Sequence, residues 1–480
     1  MPGEDLANLE LTASEMRELA DLAVSRVIAH LGSLPSQPAS GDVRAEALCA
    51  AMREGPPQRP SPLGPLLDDL FDEWIPRSFT ASGPGYLAYI PGGGLFPAAL
   101  ADFISDAVNR FTGVWQAAPA LVQLEANALD WLRRWMQFPE GTRGLFTTGG
   151  SMANFNAILC ARQRLDPDEV RSATMYTSSQ VHHSVLKCAK LAGIFPDRVR
   201  EVDVDDDLRL RVDALEEAVA EDRRRGLRPF LLVSTAGTTN TGAVDPLVSC
   251  NAVCRREGLW HHVDGAYGAF FHVVPELRPL LDGLPEADSL TLDPHKGLFL
   301  PYGTGALLVR DGRALRAAHE LPHTAGYLPP MPDAEEFYDP SSHGPDLSRG
   351  FPGLRVWLCV KMFGEERLRA AIAEKRALAL DAADRITRIP GIRMAARPQL
   401  SLFAFHVTWA GASPGEENAA TATLLERVTA LGRVMLTGCT VGDRFLARVC
   451  VLSFRTRQDR IDACVDDVAR VTAELLPETR

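Results

Sequence analysis

Between about residues 96 and 310, short β-rich runs alternate with helical stretches, and no other feature of the chain restricts its fold as strongly. The runs are RGLFTTGG (143–150), SATMYTSS (172–179), FLLVSTAG (230–237), WHHVDGAYG (260–268), SLTLDPHK (289–296) and GALLVRD (305–311). Apolar residues at helical spacing fill the intervals at 120–137, 151–163, 183–192 and 213–224. This alternation predicts an α/β fold with a mostly parallel sheet and helices on both faces. Ahead of it, Met16, Leu19, Ala20, Ala23, Val27, Ile28 and Leu31 mark a helix over 13–32, followed by the Pro-rich connector REGPPQRPSPLGP. Beyond about 376 a helix, the strands SLFAFHV and FLARVCVLSF and a closing helix over 459–475 predict a smaller α+β unit. The expected division is an N-terminal helical segment over 1–95, a large domain over 96–375 and a small domain over 376–480.

Charge and hydropathy exclude several classes of partner. A net charge of −12 argues against nucleic acid. No apolar run reaches the roughly 18–20 residues that a membrane span needs, and the acidic start MPGEDLANLELTASEMREL has neither the basic nor the apolar region of a signal peptide. The nine cysteines are scattered. Cys250 and Cys254 lie four apart without a second pair or a nearby His, so all nine read as reduced thiols of a cytoplasmic protein. The acids of DVDDD (203–207) are spaced like the opening of a calcium loop, but Leu208 and Ala214 stand where such a loop needs Gly and Glu. A solvated turn is expected there, and no metal.

Three motifs carry chemistry. In LFTTGGSMANFNAI (145–158) an apolar strand runs through Gly149, Gly150 and Ser151 directly into a helix. Glycines admit an anion close to the backbone, the first helical N–H groups and the helix dipole favour a phosphate, and Ser151 can cap the helix and offer its hydroxyl. In LWHHVDGAYG, Asp264 ends a buried strand, at the sheet edge where ligands of open α/β sheets bind. Lys296 follows another strand between two apolar runs, with Asp293 as the sole acid beside it. An anion cradle, a strand-end carboxylate and a desolvated lysine match what pyridoxal 5′-phosphate requires: a phosphate site, a partner for its pyridine nitrogen and an amine for its aldehyde. Burial disfavours an ammonium, which makes such a lysine a nucleophile for a Schiff base.

On TTGGSMAN, SSQVHHSVLKCAKLAG, TAGTTNTGAVDPL, HHVDGAYG, DPHKG, LSRGFPGLRVW and SFRT, the chain resembles the group II pyridoxal-phosphate-dependent decarboxylases along nearly its whole length. That family includes aromatic-L-amino-acid, glutamate and cysteine-sulfinate decarboxylases. The resemblance implies fold type I, the aspartate-aminotransferase-like fold, and a homodimer in which the N-terminal segment wraps the partner. It implies that Lys296 bonds the cofactor, that Asp264 pairs with the pyridine nitrogen, and that Gly150, Ser151 and His295 hold the phosphate. His182 would stack on the ring and take part in catalysis, beside a solvated His183, while Thr239 and Ala266 line the ring's edge and other face. A mobile loop closes over the site in this family and carries a proton-donating tyrosine. The corresponding stretch here is LPPMPDAEEFYDPSSHGPDL (328–347), and Tyr338 is its tyrosine, with Tyr327 just before it.

Departures from the family pattern bear on the substrate. Gly92, Gly93, Gly94 and Gly297 replace bulkier residues and Asp293 replaces an Asn, which predicts a roomier site. No Arg or Lys in 86–97 or 112–119 stands ready for an acidic side chain, whereas Tyr89, Phe96 and Trp115 could face an aromatic or apolar one. The expected activity is decarboxylation of an aromatic or bulky apolar L-amino acid to the amine and CO2. An oxygen-consuming aldehyde synthase and an aldol-type lyase on the same scaffold are the alternatives.

Overall fold

The computed structural model describes residues 8–319 and 336–477. The larger sheet holds β1 (Arg143–Thr147), β2 (Ala173–Ser178), β3 (Val199–Val202), β4 (Arg228–Thr235), β5 (Trp260–Asp264), β6 (Ser289–Leu292) and β7 (Gly305–Val309), in the order β1-β7-β6-β5-β4-β2-β3. β7 runs antiparallel to both its neighbours, and the pairs from β6 to β3 are all parallel. Strands buried on both faces read as continuous apolar runs, and β5, β6 and β7 are buried at every residue. The expected α/β fold with a mostly parallel sheet is what forms. β3 (VREV) was not among the anticipated runs. It lies at the sheet edge, where only Val202 is buried and the apolar signal is correspondingly short.

Helices Pro119–Trp135, Gly150–Arg162, His183–Leu191 and Val212–Arg224 form where the sequence placed them, and Leu247–Glu257, which was not anticipated, follows β4. The acidic turn at 203–207 closes on itself. Asp205 accepts the N–H groups of Asp207 and Arg209 and pairs with the Arg209 guanidinium at 2.8 Å.

The smaller sheet has the order β10-β11-β9-β8, all antiparallel, from β8 (Ile392–Met394), β9 (Leu402–Val407), β10 (Thr437–Val441) and β11 (Arg444–Cys450). Pro414–Ala430 and Gln458–Leu475 pack on it. The helix expected to open this part is the second of two that meet at a kink. Together they run Pro352–Thr387, broken only at Gly364, whose φ of 74° leaves the helical range.

Helix Ala13–Ser33 starts with a capping box, in which Thr12 accepts the Glu15 N–H and Glu15 accepts the Thr12 N–H. Arg26 ties it to Asp68 and Asp72, both at 2.7 Å. None of its residues is buried, and Met16 and Ile28 are 48% and 56% exposed. Among the described residues, no helix is long and apolar enough to cross a membrane.

Candidate active site

The carboxyl ends of the central strands surround a cleft of about 370 Å³. Gly150, Ser151, His182, Thr239, Asp264, Ala266, His295 and Lys296 all line it, so the structure brings eight of the nine anticipated residues together. β4 and β5 deliver Thr235 and Asp264 side by side, and Asp293 and Lys296 come from the turn after β6.

The anion cradle differs from its expectation in one respect. Gly149, not Ser151, is the N-cap of helix Gly150–Arg162, and no side chain caps it. The first N–H groups are therefore left for a ligand. Gly149 has φ 151°, and a Cβ on Gly150 would lie 3.0 Å from both Ala266 Cβ and Asp293 Oδ2, so both glycines are demanded by the geometry.

Asp264 is 5% exposed and both its oxygens accept: Oδ2 from Asn154 Nδ2 at 2.9 Å and Oδ1 from the Ala266 N–H at 3.1 Å. Behind it runs a buried line of hydrogen bonds whose direction is fixed at both ends. The Trp260 indole can only donate, and does so to Ser289 Oγ at 2.8 Å; Ser289 donates on to His262 Nδ1 at 2.8 Å. His262 Nε2–H donates to Asn154 Oδ1 at 3.0 Å, which also accepts from Thr291 Oγ1 at 2.7 Å. The carboxylate can only accept, so every bond points towards it. Burial holds His262 at about 4, neutral as this arrangement requires.

His182 caps its helix. Its Nδ1 accepts from the Ser184 N–H at 3.3 Å and lies 2.7 Å from Ser184 Oγ, which leaves the ring proton on Nε2. Burial lowers its pKa, Lys296 and His183 add to this, and Asp264 opposes it. His183 is exposed, as expected. His295 donates from Nδ1 to the Thr304 carbonyl at 2.8 Å, and burial likewise favours its neutral form.

Lys296 is not the unpaired ammonium that its apolar neighbours suggested. Its Nζ lies 2.8 Å from Asp293 Oδ2, and the side chain keeps 22% of its surface. Two cleft-lining atoms, Asp293 Oδ1 and Thr235 Oγ1, are buried without a hydrogen-bond partner. Together with the open helix N-terminus they are groups that a polar, phosphate-bearing ligand would satisfy, so the residues fit pyridoxal 5′-phosphate.

Three of the four glycines leave no space, and Gly94, with only Ser82 Cβ at 3.9 Å, does not line the cleft. A Cβ at Gly92 would meet the Tyr302 ring at 2.8 Å, one at Gly93 the Phe299 backbone at 2.2 Å, and one at Gly297 the Phe270 side chain at 2.5 Å. Neighbouring aromatic residues have taken the space. Tyr89, Phe96 and Trp115 do not line the cleft. The Trp115 ring lies tilted against Phe337 with centroids 4.6 Å apart, and its backbone N–H donates to Asp339 at 2.8 Å.

Tyr338 is placed away from the cleft. It is 9% exposed in the core, against His343 at 5.1 Å, and burial pushes its phenol upward. Residues 338–340 and 343 of the stretch expected to form a mobile lid are buried and do not line the cleft; 328–335 and Tyr327 lie outside the described residues. Sequence reasoning also missed Arg448. From β11 it holds the carbonyls of Thr239, Tyr89 and Asn240, the last at 3.1 Å, and so fastens the smaller sheet to the wall of the cleft.

The model of the pyridoxal-dependent decarboxylase conserved domain matches residues 46–408. The chain belongs to this family. An aromatic-L-amino-acid decarboxylase from Bacillus atrophaeus is 32% identical over 95% of both chains. Among solved structures, Oryza sativa TDC with PLP and tryptamine superposes with a TM-score of 0.92 at 26% identity, covering 98% of this chain and all of that one. Catharanthus roseus tryptophan decarboxylase with L-tryptophan gives 0.90 at 26%, covering 97% of this chain and all of that one. The family member described here is a pyridoxal-phosphate-dependent carboxy-lyase, an amino-acid decarboxylase of fold type I.

Proposed function

We propose that this decarboxylase removes the α-carboxylate of an aromatic L-amino acid and releases the amine, acting as a cytoplasmic homodimer. The observation that carries the reading is the meeting of Lys296, Asp264, His182 and the open cradle at Gly150 and Ser151 in one cleft. When bound, pyridoxal 5′-phosphate supplies an aldehyde for the substrate's amine and a ring that accepts the electron pair left behind by CO2.

The chain's own residues do the rest. Ser151 and the first N–H groups of its helix bind the phosphate, and Asp264 holds a proton on the pyridine nitrogen, its charge supported by the line of donors behind it. Lys296 bonds the cofactor and returns after each turnover. His182, fixed by its N-cap bonds, covers the ring and presents Nε2–H. Tyr338 is proposed to return the proton to the reacting carbon, which requires its segment to leave the position described above. The aromatic substrate class is supported by the relatives' activities. The dimer is supported by the exposed apolar side chains of helix Ala13–Ser33, and the reducing compartment by nine free cysteines.

The test is product analysis across a panel of L-amino acids, with CO2, amine, aldehyde and peroxide measured together. Tryptophan, tyrosine or phenylalanine should give CO2 and amine in equal amounts. No turnover of any aromatic acid, or aldehyde and peroxide as the main products, would overturn the reading.

A further inference from the structure

We propose that Asp293 carries the protons when the cofactor is attached to Lys296, taking them from the lysine nitrogen and passing them to the departing aldehyde oxygen. The inference rests on the reading of Lys296 as the residue that bonds the cofactor.

Three observations converge on this carboxylate. Its Oδ2 lies 2.8 Å from Lys296 Nζ, within proton-transfer reach, in a side chain that is itself almost fully buried. Its Oδ1 is buried without a donor and has a free lone pair beside the phosphate cradle, 3.4 Å from where a Cβ on Gly150 would stand. Its third neighbour is His295, whose Nε2 is 3.6 Å from Oδ2. Because Nδ1–H donates to the Thr304 carbonyl and the ring is neutral, Nε2 offers a lone pair. A lone pair facing a carboxylate is an unfavourable contact. A proton arriving on Oδ2 removes that repulsion, although 3.6 Å is too long for a hydrogen bond. The surroundings thus pair Asp293 with the ammonium when it is a carboxylate and leave it without a charge opposite His295 when it holds a proton.

Asp293 stands where the family pattern has an Asn, and a carboxylate can carry a proton between nitrogen and oxygen as an amide cannot. Lys296 Nζ starts with three protons and ends with one, doubly bonded to the aldehyde carbon. The nitrogen lone pair forms the C–N bond, the C–O bond breaks, and the two protons lost from nitrogen leave on the oxygen as water. Asp293 takes each from Nζ, delivers it to the oxygen and ends as the carboxylate it began as. Charge balances, and no oxidant or reductant is involved.

The test uses the full-length protein freed of cofactor. Pyridoxal 5′-phosphate is mixed in, covalent attachment is trapped with borohydride at successive times and read by mass. Affinity for pyridoxine 5′-phosphate, which has an alcohol in place of the aldehyde, is measured in parallel. Asp293→Asn should slow attachment by about a hundredfold, the lower range for general acid–base catalysis, with affinity for the alcohol unchanged. Attachment at the normal rate overturns the proposal. So does a loss of affinity for the alcohol that matches the loss of rate, because the carboxylate would then shape the cleft without moving protons. If the amide variant does not fold, Asp293→Ser undergoes the same two measurements. Lys296→Ala separates the levels: a cofactor still fixed by borohydride in that variant removes the underlying reading, whereas normal attachment in Asp293→Asn alone removes only this inference.

Discussion

Asp264→Asn perturbs a charge and a hydrogen-bond line at once, and the two effects can be read separately. Both carboxylate oxygens accept, one from Asn154 and one from the Ala266 N–H. An amide has a single NH2, and whichever way it is turned, that group faces one of these donors. Asn154 cannot turn over to compensate, since its own oxygen already accepts from His262 and Thr291. One hydrogen bond is lost and a buried donor is left without a partner, which together destabilise the fold by about 2–3 kcal/mol. Loss of the charge opposite the pyridine nitrogen lowers kcat at least about a hundredfold. Denaturant unfolding of cofactor-free protein reads the first effect, with no contribution from ligand affinity. Rate of CO2 release at saturating cofactor reads the second. An unchanged unfolding midpoint would refute the direction assigned to the hydrogen bonds, and near-normal turnover would refute the role of the charge.

Lys296→Ala should abolish turnover and the borohydride-reducible cofactor link, checked by mass after reduction; an adduct on another lysine would contradict the assignment. Tyr338→Phe should keep cofactor affinity and shift product from amine towards aldehyde and peroxide, and an unchanged amine yield would place the proton donor elsewhere. Acid should destabilise the cofactor-free protein. Burial holds His261 at about 3 and His262 at about 4, against about 6.5 in the unfolded chain. Between those values the unfolded state binds more protons, so stability falls as pH drops through the window. Relative to pH 8, each histidine costs about 1.4 kcal/mol at pH 5.5. Asp245, pushed up to about 6 by burial, offsets about 1 kcal/mol of this with the opposite sign. Denaturant midpoints at the two pH values measure the net loss, and equal midpoints would show that the two histidines are not held neutral.

The sheet and the cleft were legible because both leave local signatures. Six of the seven larger-sheet strands lie in β-rich runs of the sequence, and Asp264 ends one of them while Lys296 follows shortly after another. β3 escaped because an edge strand needs little burial. Asn154 escaped because a polar residue on a helix looks the same whether it meets water or a buried carboxylate 110 positions away. The glycines misled for a related reason. A missing side chain is visible in the sequence, but the Tyr302, Phe299 and Phe270 atoms that occupy its space arrive from elsewhere in the chain. Arg448 gave no signal, since beside the Thr437 hydroxyl its partners are backbone carbonyls, which every residue has. The order in 338–343 was hidden because a Pro-, Asp- and Ser-rich composition describes a tightly capped turn as well as an open loop.

The line of bonds from Trp260 to Asp264 also has an evolutionary consequence. Its polarity is set by an indole that cannot accept and a carboxylate that cannot donate, so Ser289, His262 and Asn154 have no freedom to reverse between them. A substitution at one of the three strands the donors on one side and the acceptors on the other. These positions should therefore be inherited as a block, retained together in some branches of the family and exchanged together in others, with mixed sets purged. Grafting them singly into a relative should fail where grafting the block succeeds.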